Sequence, residues 1–508
     1  MPFTLTLPQI NYLDFLPKEK RLKNNEAENS DESSKEVYEE LKVFQSFDTS
    51  PNAYKLEYYF TINEKEVLIT IEKEANKAIN IYRDEDLTTS LSKNEAKSIL
   101  PEYVIGYSSG QNEILSLPFF KMRLIQHDEY IDCLSKEIEF DSHESRMIYL
   151  DDAFSQAIFA TNFIFNDEKV SDIFYNTIGV ESLESFRIII NMDLEVEVIV
   201  ETENGLVEEE KLLIEQYSKS IELLKNCATM YYEDDDNQQL ILDYYLDDNG
   251  EMKEAFKTHF GEIDNTGKDI SKLNLFQTFQ TLINLNYYYT NSITKKKLYN
   301  SSSLFAKGYL PQAPWNERFF TFKYFMLKKE GITERVLSRS LSDGEYQFLH
   351  SIGLSLIYRN TQSLFLLDEP ETHFNPSWRA EYMSVLKQCF EDTKTKAELL
   401  ITSHSPFIVS DTKEENVLLF EKDAQGNANR KEIGIHTFGA SVNEITDVIF
   451  NQQGTIGNLS LKELNDSLEN INTIEDYHKA KHILSKLGDS VEKFKAYNKL
   501  NRLKKEIE

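Results

Sequence analysis

Two adjacent carboxylates, Asp368 and Glu369, stand at the end of an apolar run at residues 364–367. Such a run is typical of a buried strand, and ligands bind beyond the carboxyl ends of parallel strands. Asp368 can hold Mg²⁺, which prefers carboxylate and water oxygens. Glu369 can orient or deprotonate an attacking water. The pair therefore indicates metal-assisted attack of water on a phosphate.

A second apolar run, residues 399–401, leads into Thr402, Ser403 and His404. An imidazole at this position can hydrogen-bond the terminal phosphate of a nucleotide and sense its loss. A single histidine after a strand is more often structural. The acid pair expected on a neighbouring strand favours the functional interpretation.

The third segment, residues 341–347, precedes a predicted helix. Ser342 and Glu345 have the spacing of a capping box, which is the structural interpretation. Gly344 also leaves backbone N–H groups uncovered, and such a helix start binds phosphate. Both interpretations stay open from the residues alone.

Together these segments resemble ABC-type ATPases. Residues 342–347 resemble the signature motif, Asp368 and Glu369 the Walker B pair, and His404 the switch histidine, while Asn375 stands at the D-loop position. The letters DEPETH and TSHSP around the acids and the histidine are similar to ATPases of the OLD, SMC and RecF kind, not to membrane transporters.

Weaker likenesses extend further along the chain. Residues 106–113, residues 437–441 and the helical tail resemble AAA family ATPases associated with bacterial restriction and antiphage systems. The specific motifs cover roughly residues 340–450, and the weaker likeness reaches back to about residue 100.

The resemblance implies an α/β fold: an ABC-type nucleotide-binding head with a parallel βαβ core, an antiparallel edge sheet, a mostly helical insertion and a helical C-terminal extension. It implies ATP and Mg²⁺ as cofactors and a homodimer that sandwiches ATP between protomers. Glu369 and His404 would be catalytic, and Asp368 would organise the metal. The implied nucleotide-binding residues are Ser342, Gly344, Glu345, Gln347, Asn375 and Gln111. For Gln111, in a small-residue turn, a Q-loop glutamine and an ordinary turn residue both remain open.

The phosphate-cradling loop of the family, Gly-x4-Gly-Lys-Ser/Thr, is absent from the 508 residues. Glycine precedes lysine only at Gly267-Lys268, where the spacing from Gly261 is one residue too long and Asp269 replaces the expected Ser or Thr. Two explanations stay open: the sequence starts after the loop, or it is a natural half that borrows the loop. The retained acid and histidine favour the first, so we expect ATPase activity of the form that has the loop.

Composition limits the function classes. The formal net charge of −31 repels nucleic acid on average, so DNA contact is expected to be indirect unless a local basic patch provides it. The best such patch, which is equally a solvated helix face, comprises Lys479, Lys481, Lys486, Lys493, Lys495, Lys499, Arg502, Lys504 and Lys505. Three scattered cysteines argue for a reducing cytoplasm, and no apolar run is long enough to cross a membrane.

We expect four regions: residues 1–118, a partial first lobe with a flexible acidic loop at 17–53; residues 119–310, the insertion; residues 311–455, the ATPase core; and residues 456–508, the helical extension. After residue 319 strands alternate with helices, which is typical of parallel βαβ units. The pattern predicts a strand over residues 363–368, a helix over residues 377–391 and a strand over residues 397–402.

Three further features are less specific. Apolar spacing predicts a helix over residues 207–226 and two helices after about residue 460, the latter carrying a stripe formed by Ile483, Leu487, Val491, Phe494 and Tyr497. The acidic cluster at residues 233–236 reads as a solvated loop rather than a metal site, because it lacks the ligand alternation of a calcium loop.

The expected role is an ATP-gated subunit of a bacterial restriction or antiphage system that regulates a nuclease partner. Two alternatives stay open: a catalytically silent scaffold without the phosphate loop, and a DNA-repair ATPase of the SMC or RecF kind. A nuclease domain of the OLD type is disfavoured, since only about 58 residues follow residue 450.

Overall fold

The computed structural model describes residues 53–507 with gaps and divides the chain into two compact units, Met1–Ser403 and His404–Glu508. Outside the described residues lie 1–52, 63–64, 76–78, 85–88, 93–94, 97–98, 111–114, 117, 121–122, 124–145, 193–194, 202–206, 214–217, 247–249, 265–266, 287–312, 315–316, 392, 394–396, 452–455, 470 and 508. The acidic loop expected at residues 17–53 thus lies almost entirely outside them.

The strands are β1 (Tyr54–Ile62), β2 (Lys65–Lys73), β3 (Ile79–Arg83), β4 (Tyr103–Ser108), β5 (Met147–Tyr149), β6 (Val180–Asn191), β7 (Glu195–Glu201), β8 (Val207–Leu213), β9 (Met230–Asp234), β10 (Gln239–Tyr245), β11 (Phe320–Lys329), β12 (Val336–Leu337), β13 (Ser363–Asp368), β14 (Glu398–Thr402), β15 (Leu419–Lys422) and β16 (Ala428–Lys431). The helices are α1 (Ser155–Ile164), α2 (Glu168–Ile178), α3 (Ser218–Cys227), α4 (Glu251–Phe260), α5 (Ser271–Asn284), α6 (Asp343–Tyr358), α7 (Pro376–Phe390), α8 (Pro406–Ser410), α9 (Val442–Val448), α10 (Asn458–Ser467), α11 (Ile474–Lys486) and α12 (Val491–Ile507).

A four-stranded parallel sheet, in the order β14-β13-β4-β5, forms the centre of the first unit. β13 lies between β4 and β14, and its last residue, Asp368, is paired in register with Ser108 and Thr402. The α/β fold with a parallel core is therefore confirmed, and the carboxyl ends of three strands meet at one edge.

The outer side of β14 is open: among the described residues, no strand pairs with it there. Leu400, in the middle of this strand, is 50% exposed. Parallel sheets are normally covered, because their strands are apolar on both faces. The Leu400 side chain lies on a face of the sheet, whereas the unpaired backbone of an edge strand is what favours pairing with another strand.

Along the chain, the strands of one antiparallel sheet precede those of the parallel sheet, and the strands of a larger antiparallel sheet lie between β5 and β13. Strands β1, β2 and β3 form an antiparallel meander, and a five-stranded sheet has the order β12-β11-β6-β10-β9. The helix predicted over residues 207–226 is wrong in its first half, where β8 forms a two-stranded ribbon with β7. Its second half is α3.

Helix α6 is held against α1 by close backbone approach. A Cβ atom added to Gly353 would meet Ile158 Cγ2 at 2.7 Å, and Asn162 Nδ2 donates to the Gly353 carbonyl at 2.9 Å. One turn earlier, His350 is buried, with Nδ1 2.6 Å from Ser155 Oγ and its ring 4.9 Å from that of Tyr107. These contacts fix the middle of α6 against α1.

The second unit contains α8, α9, the β15-β16 hairpin and three C-terminal helices rather than two. α10, α11 and α12 share a core that includes Leu468, Leu484 and Leu500. The predicted apolar stripe is interrupted, because α11 ends at Lys486 and α12 begins at Val491. None of the helices in the described part of the chain is both long and apolar enough to cross a membrane.

Burial lowers the pKa of His350 to about 3, although a backbone contact at Leu150 opposes this. The unfolded chain therefore binds a proton below pH about 6.5 that the folded chain excludes, so stability falls as pH falls below that value. We predict that His350→Gln reduces the slope of unfolding free energy between pH 6 and 4 by about 1.4 kcal/mol per pH unit. Chemical denaturation across this range measures it; identical slopes would contradict a buried neutral imidazole.

Candidate functional site

The carboxylate of Asp368 is held at the end of β13 by the two neighbouring strands. Its Oδ2 accepts a hydrogen bond from Ser108 Oγ at 3.0 Å, and its Oδ1 accepts one from Thr402 Oγ1 at 2.5 Å. Strand register explains both contacts, since these hydroxyls belong to the residues paired with Asp368. The sheet thus orients this carboxylate before any ligand binds.

Glu369 adopts a left-handed backbone conformation, with φ of 47°. For a residue with a side chain this conformation is costly, and such strain clusters at functional sites. Surrounding contacts hold it: Glu369 N donates to the Thr402 carbonyl at 2.9 Å, and Thr372 Oγ1 donates to the Glu369 carbonyl at 2.9 Å. The turn directs the chain sharply away from β13 just after the metal-binding candidate.

The loop after β4 is fastened to the same turn. Ser109 N donates to the Asp368 carbonyl at 3.3 Å, and Ser109 Oγ donates to Thr372 Oγ1 at 3.1 Å. Thr372 Oγ1 also lies 3.3 Å from Glu369 Oε2. Hydroxyl groups from three segments therefore surround the two acids.

Glu371 is a third acid of this turn, to which the sequence analysis assigned no role. It is 3% exposed, and its Oε1 accepts a hydrogen bond from Ser403 Oγ. Its Oε2 is buried without a hydrogen-bond partner among the described residues. Burial raises the pKa of this carboxyl, with a further contribution from the charge of Glu369. The signal available in the sequence was an acid two residues after Glu369, across Pro370.

These residues fit the requirements of Mg²⁺. Asp368, Ser108 and Thr402 converge with oxygen atoms alone, the donor type that this ion prefers. A carboxylate oxygen has two lone pairs, so it can accept a hydrogen bond and bind a metal ion at the same time. A magnesium ion could therefore be bound directly or through water without dismantling the hydrogen bonds.

The start of α6 contains a complete capping box. Ser342 Oγ accepts from Glu345 N at 3.3 Å, and Glu345 Oε2 accepts from Ser342 N at 2.8 Å. Glu345 Oε1 is also hydrogen-bonded to Lys329 Nζ. Burial opposes ionisation, but Lys329 and the Ser342 contacts lower the pKa of Glu345 overall. The structural interpretation of this pair is thus confirmed, and Ser342 remains exposed at the helix start.

Gly344 and Gln347 pack against the segment that follows the acids. A Cβ on Gly344 would meet the His373 carbonyl oxygen at 2.7 Å, so only glycine allows this approach. Gln347 is 4% exposed, and its Oε1 accepts from His373 N at 3.1 Å. Both residues therefore position the loop before α7, where Asn375 caps that helix by accepting from Trp378 N at 2.9 Å.

The predicted site residues consequently fall into two groups within the first unit. Asp368 and Glu369 lie at the carboxyl end of β13, while Gly344, Gln347 and Asn375 lie where α6 meets the start of α7. His404 opens the second unit, exposed, with its ring centroid 6.3 Å from that of Phe450. Gln111 lies outside the described residues.

The acidic cluster at residues 233–236 and the Gly267-Lys268 pair lie in local turns and strand ends. Asp234 ends β9 and accepts from the backbone and side chain of Asn237 at 3.1 and 2.9 Å. In the described ranges, no group of three or more His, Cys, Asp or Glu side chains is placed to hold a metal ion. Gly267-Lys268 belongs to the turn before α5, next to an isolated bridge between Ile263 and Asp269.

A parallel α/β sheet that delivers paired acids to its carboxyl edge defines a class of nucleotide-binding ATPase domains. Comparison with protein families agrees: residues 136–410 match the model described as "AAA domain, putative AbiEii toxin, Type IV TA system". The match covers more than half of the chain, and the chain belongs to this family. A comparison with curated proteins found no match.

The left-handed backbone at Glu369 reverses the usual order of two substitutions. Glycine adopts this conformation freely, whereas alanine does not, so Glu369→Gly should be more stable than Glu369→Ala by about 1 kcal/mol. At the helical position Glu381 the order should be opposite by about the same amount, which makes that pair a matched control. Thermal unfolding of the four variants measures both differences; the same order at both positions would refute the strained turn.

Proposed function

We propose that this chain is the ATP-binding and hydrolysing subunit of a bacterial restriction or antiphage defence system. The observation that carries the proposal is the orientation of Asp368 by Ser108 and Thr402 beside the strained Glu369 at the carboxyl end of β13. The family membership supports a nucleotide as ligand.

In this proposal the two acids have different tasks. Asp368, with both oxygens already oriented, would organise Mg²⁺ on the phosphates. Glu369 would accept the proton of the attacking water, because it follows Asp368 directly and turns away from the sheet. Bound Mg²⁺ would supply neutralisation of the phosphate charge. The role of His404 as phosphate sensor stays a prediction.

A homodimer is part of the proposal. The start of α6 is held by contacts to its own loop, and Ser342 remains exposed there. A helix start favours phosphate through its backbone N–H groups and its dipole, and phosphate here would compete with the capping box for the N–H of Glu345. We infer that this helix start contacts the nucleotide bound at the acids of a second protomer. ATP would then bridge the two protomers and stabilise the dimer.

The phosphate loop must be added to this arrangement, because the 508 residues lack one. The open edge of β14 supports a place for it, since among the described residues no strand pairs with the outer side of this strand, which leads to His404. A strand paired there would bring a following loop to the same edge as Asp368. We propose that a loop-bearing strand occupies this edge.

The proposed partner is a nuclease or restriction subunit controlled by the nucleotide state. The family, described as containing a putative AbiEii toxin of a type IV TA system, favours a second candidate role, that of a toxin. Expression of the chain alone separates the two roles. Growth arrest without any other subunit would favour the toxin, whereas a regulator should require its nuclease partner for any effect.

The direct test is Mg²⁺-dependent ATP hydrolysis by this chain and by Glu369→Gln, each with and without an added Gly-x4-Gly-Lys-Ser/Thr segment. We expect the substitution to lower the rate at least about 100-fold, because it removes the general base while keeping the shape. Glu381→Gln, at an exposed carboxyl on α7, is the matched control and should leave the rate unchanged.

Other outcomes would decide against the proposal. Equal hydrolysis by wild type and Glu369→Gln would remove Glu369 from the chemistry. No hydrolysis by the chain alone, together with an oligomeric state that ATP does not change, would favour the silent scaffold. Activity restored by adding a Gly-x4-Gly-Lys-Ser/Thr segment would instead support the borrowed or preceding loop.

A further inference from the structure

A polar cavity lies in the first unit, near the C-terminal end of α6. It has a volume of about 280 Å³, and its walls come from the starts of α2 and α5 and from the end of α6. Since α6 has 16 residues, this cavity is separated from the Ser342 end of the helix by about 24 Å. It is therefore distinct from the edge that carries Asp368 and Glu369.

Positive charge exceeds negative charge in this cavity. Lys272 and Arg359 share a single carboxylate, that of Asp167, at 3.4 and 2.7 Å. Lys268 adds a third cation, and Asp269 adds a second carboxylate. Asp269 Oδ1 accepts from the backbone and hydroxyl of Ser271, so it is occupied locally. Three cations thus face two carboxylates, which leaves one net positive charge in the cavity.

A fourth lysine at the rim does not alter this balance. Lys257 is paired with Glu254 at 2.7 Å, and both side chains are more than half exposed. Helix dipoles also contribute little net charge, because the N-terminal ends of α2 and α5 and the C-terminal ends of α1 and α6 all reach the cavity and have opposite signs. The side chains therefore decide which ligand the cavity prefers.

Lys272 lacks full compensation for its burial. Burial lowers its pKa to about 8, and Arg359 also lowers it, while Asp167 and, to a smaller extent, Asp269 oppose the shift. The side chain of Lys272 is 16% exposed and that of Arg359 is 20% exposed. Lys272 shares the carboxylate of Asp167 with Arg359. A buried cation that shares its counter-ion in this way is stabilised when an anion enters beside it.

We propose that this cavity binds a phosphate group, with Lys272, Arg359 and Lys268 as the recognising cations. Arg359 offers planar N–H donors and the lysines offer point charges, a combination suited to a compact, multiply charged oxyanion. The cavity is roomy enough for a phosphate group with part of its hydration.

The adjoining surface indicates how the rest of a ligand could be accommodated. Asp167, Arg359 and Asn360 also line a larger, open cavity of about 960 Å³. That cavity is lined mainly by neutral polar and acidic side chains, among them Asp172, Thr177, Glu381, Ser384 and Gln388. A phosphomonoester could therefore place its phosphate in the small cavity and a hydroxyl-rich part in the larger one.

The test is calorimetric titration of the full chain with inorganic phosphate and, separately, with ribose 5-phosphate. We expect saturable binding that Lys272→Met weakens at least about tenfold, because a charge-assisted contact is lost. Lys479→Met, at an exposed lysine of α11 in the second unit, is the matched control and should change the affinity less than about twofold.

A second variant covers the case in which Lys272→Met does not fold. Lys268→Met changes a partly exposed side chain at the cavity wall and should also weaken phosphate binding severalfold. Tighter binding of ribose 5-phosphate would identify an organic phosphate as the ligand, and tighter binding of the inorganic ion would identify free phosphate. Absence of saturable binding of either probe, or binding that neither Lys272 nor Lys268 affects, would overturn the proposal.

Discussion

Parallel pairing of β13 with β4 and β14 is the constraint on which the candidate site depends. This register places Ser108 and Thr402 on either side of Asp368, so two hydroxyls orient one carboxylate. The same pairing brings the Thr402 carbonyl to the N–H of Glu369 and holds the left-handed turn there. A slip of one residue would turn the strand over and abolish every one of these contacts.

The turn and loop that follow Glu369 also fix the position of the start of α6. The turn after Glu369 buries Glu371 against Ser403, and the following loop meets Gly344 and Gln347. Residues that resemble a signature motif thus have structural tasks within their own protomer. These tasks leave Ser342 exposed at the helix start, and they explain why glycine is needed at position 344 without any ligand.

Much of this arrangement could be predicted because the strands and helices around the acids have clear patterns. The predicted alternation of strand 363–368, helix 377–391 and strand 397–402 is confirmed to within a residue or two. Prediction failed where tertiary context decides. β8 has apolar spacing that mimics a helix but pairs with β7, and the C-terminal stripe breaks where Ser490 caps α12 through the N–H of Lys493. The burial of Glu371 depends on contacts 32 residues away in the chain, which no local pattern reveals.

We propose that Asp368, and not Glu369, binds the metal ion at the end of β13. Electron paramagnetic resonance of Mn²⁺ in the presence of ATP tests it directly. The account predicts that Asp368→Asn weakens Mn²⁺ binding at least about tenfold, because a charged oxygen ligand is lost, while Glu369→Gln retains it. Equal binding by wild type and Asp368→Asn would contradict the account.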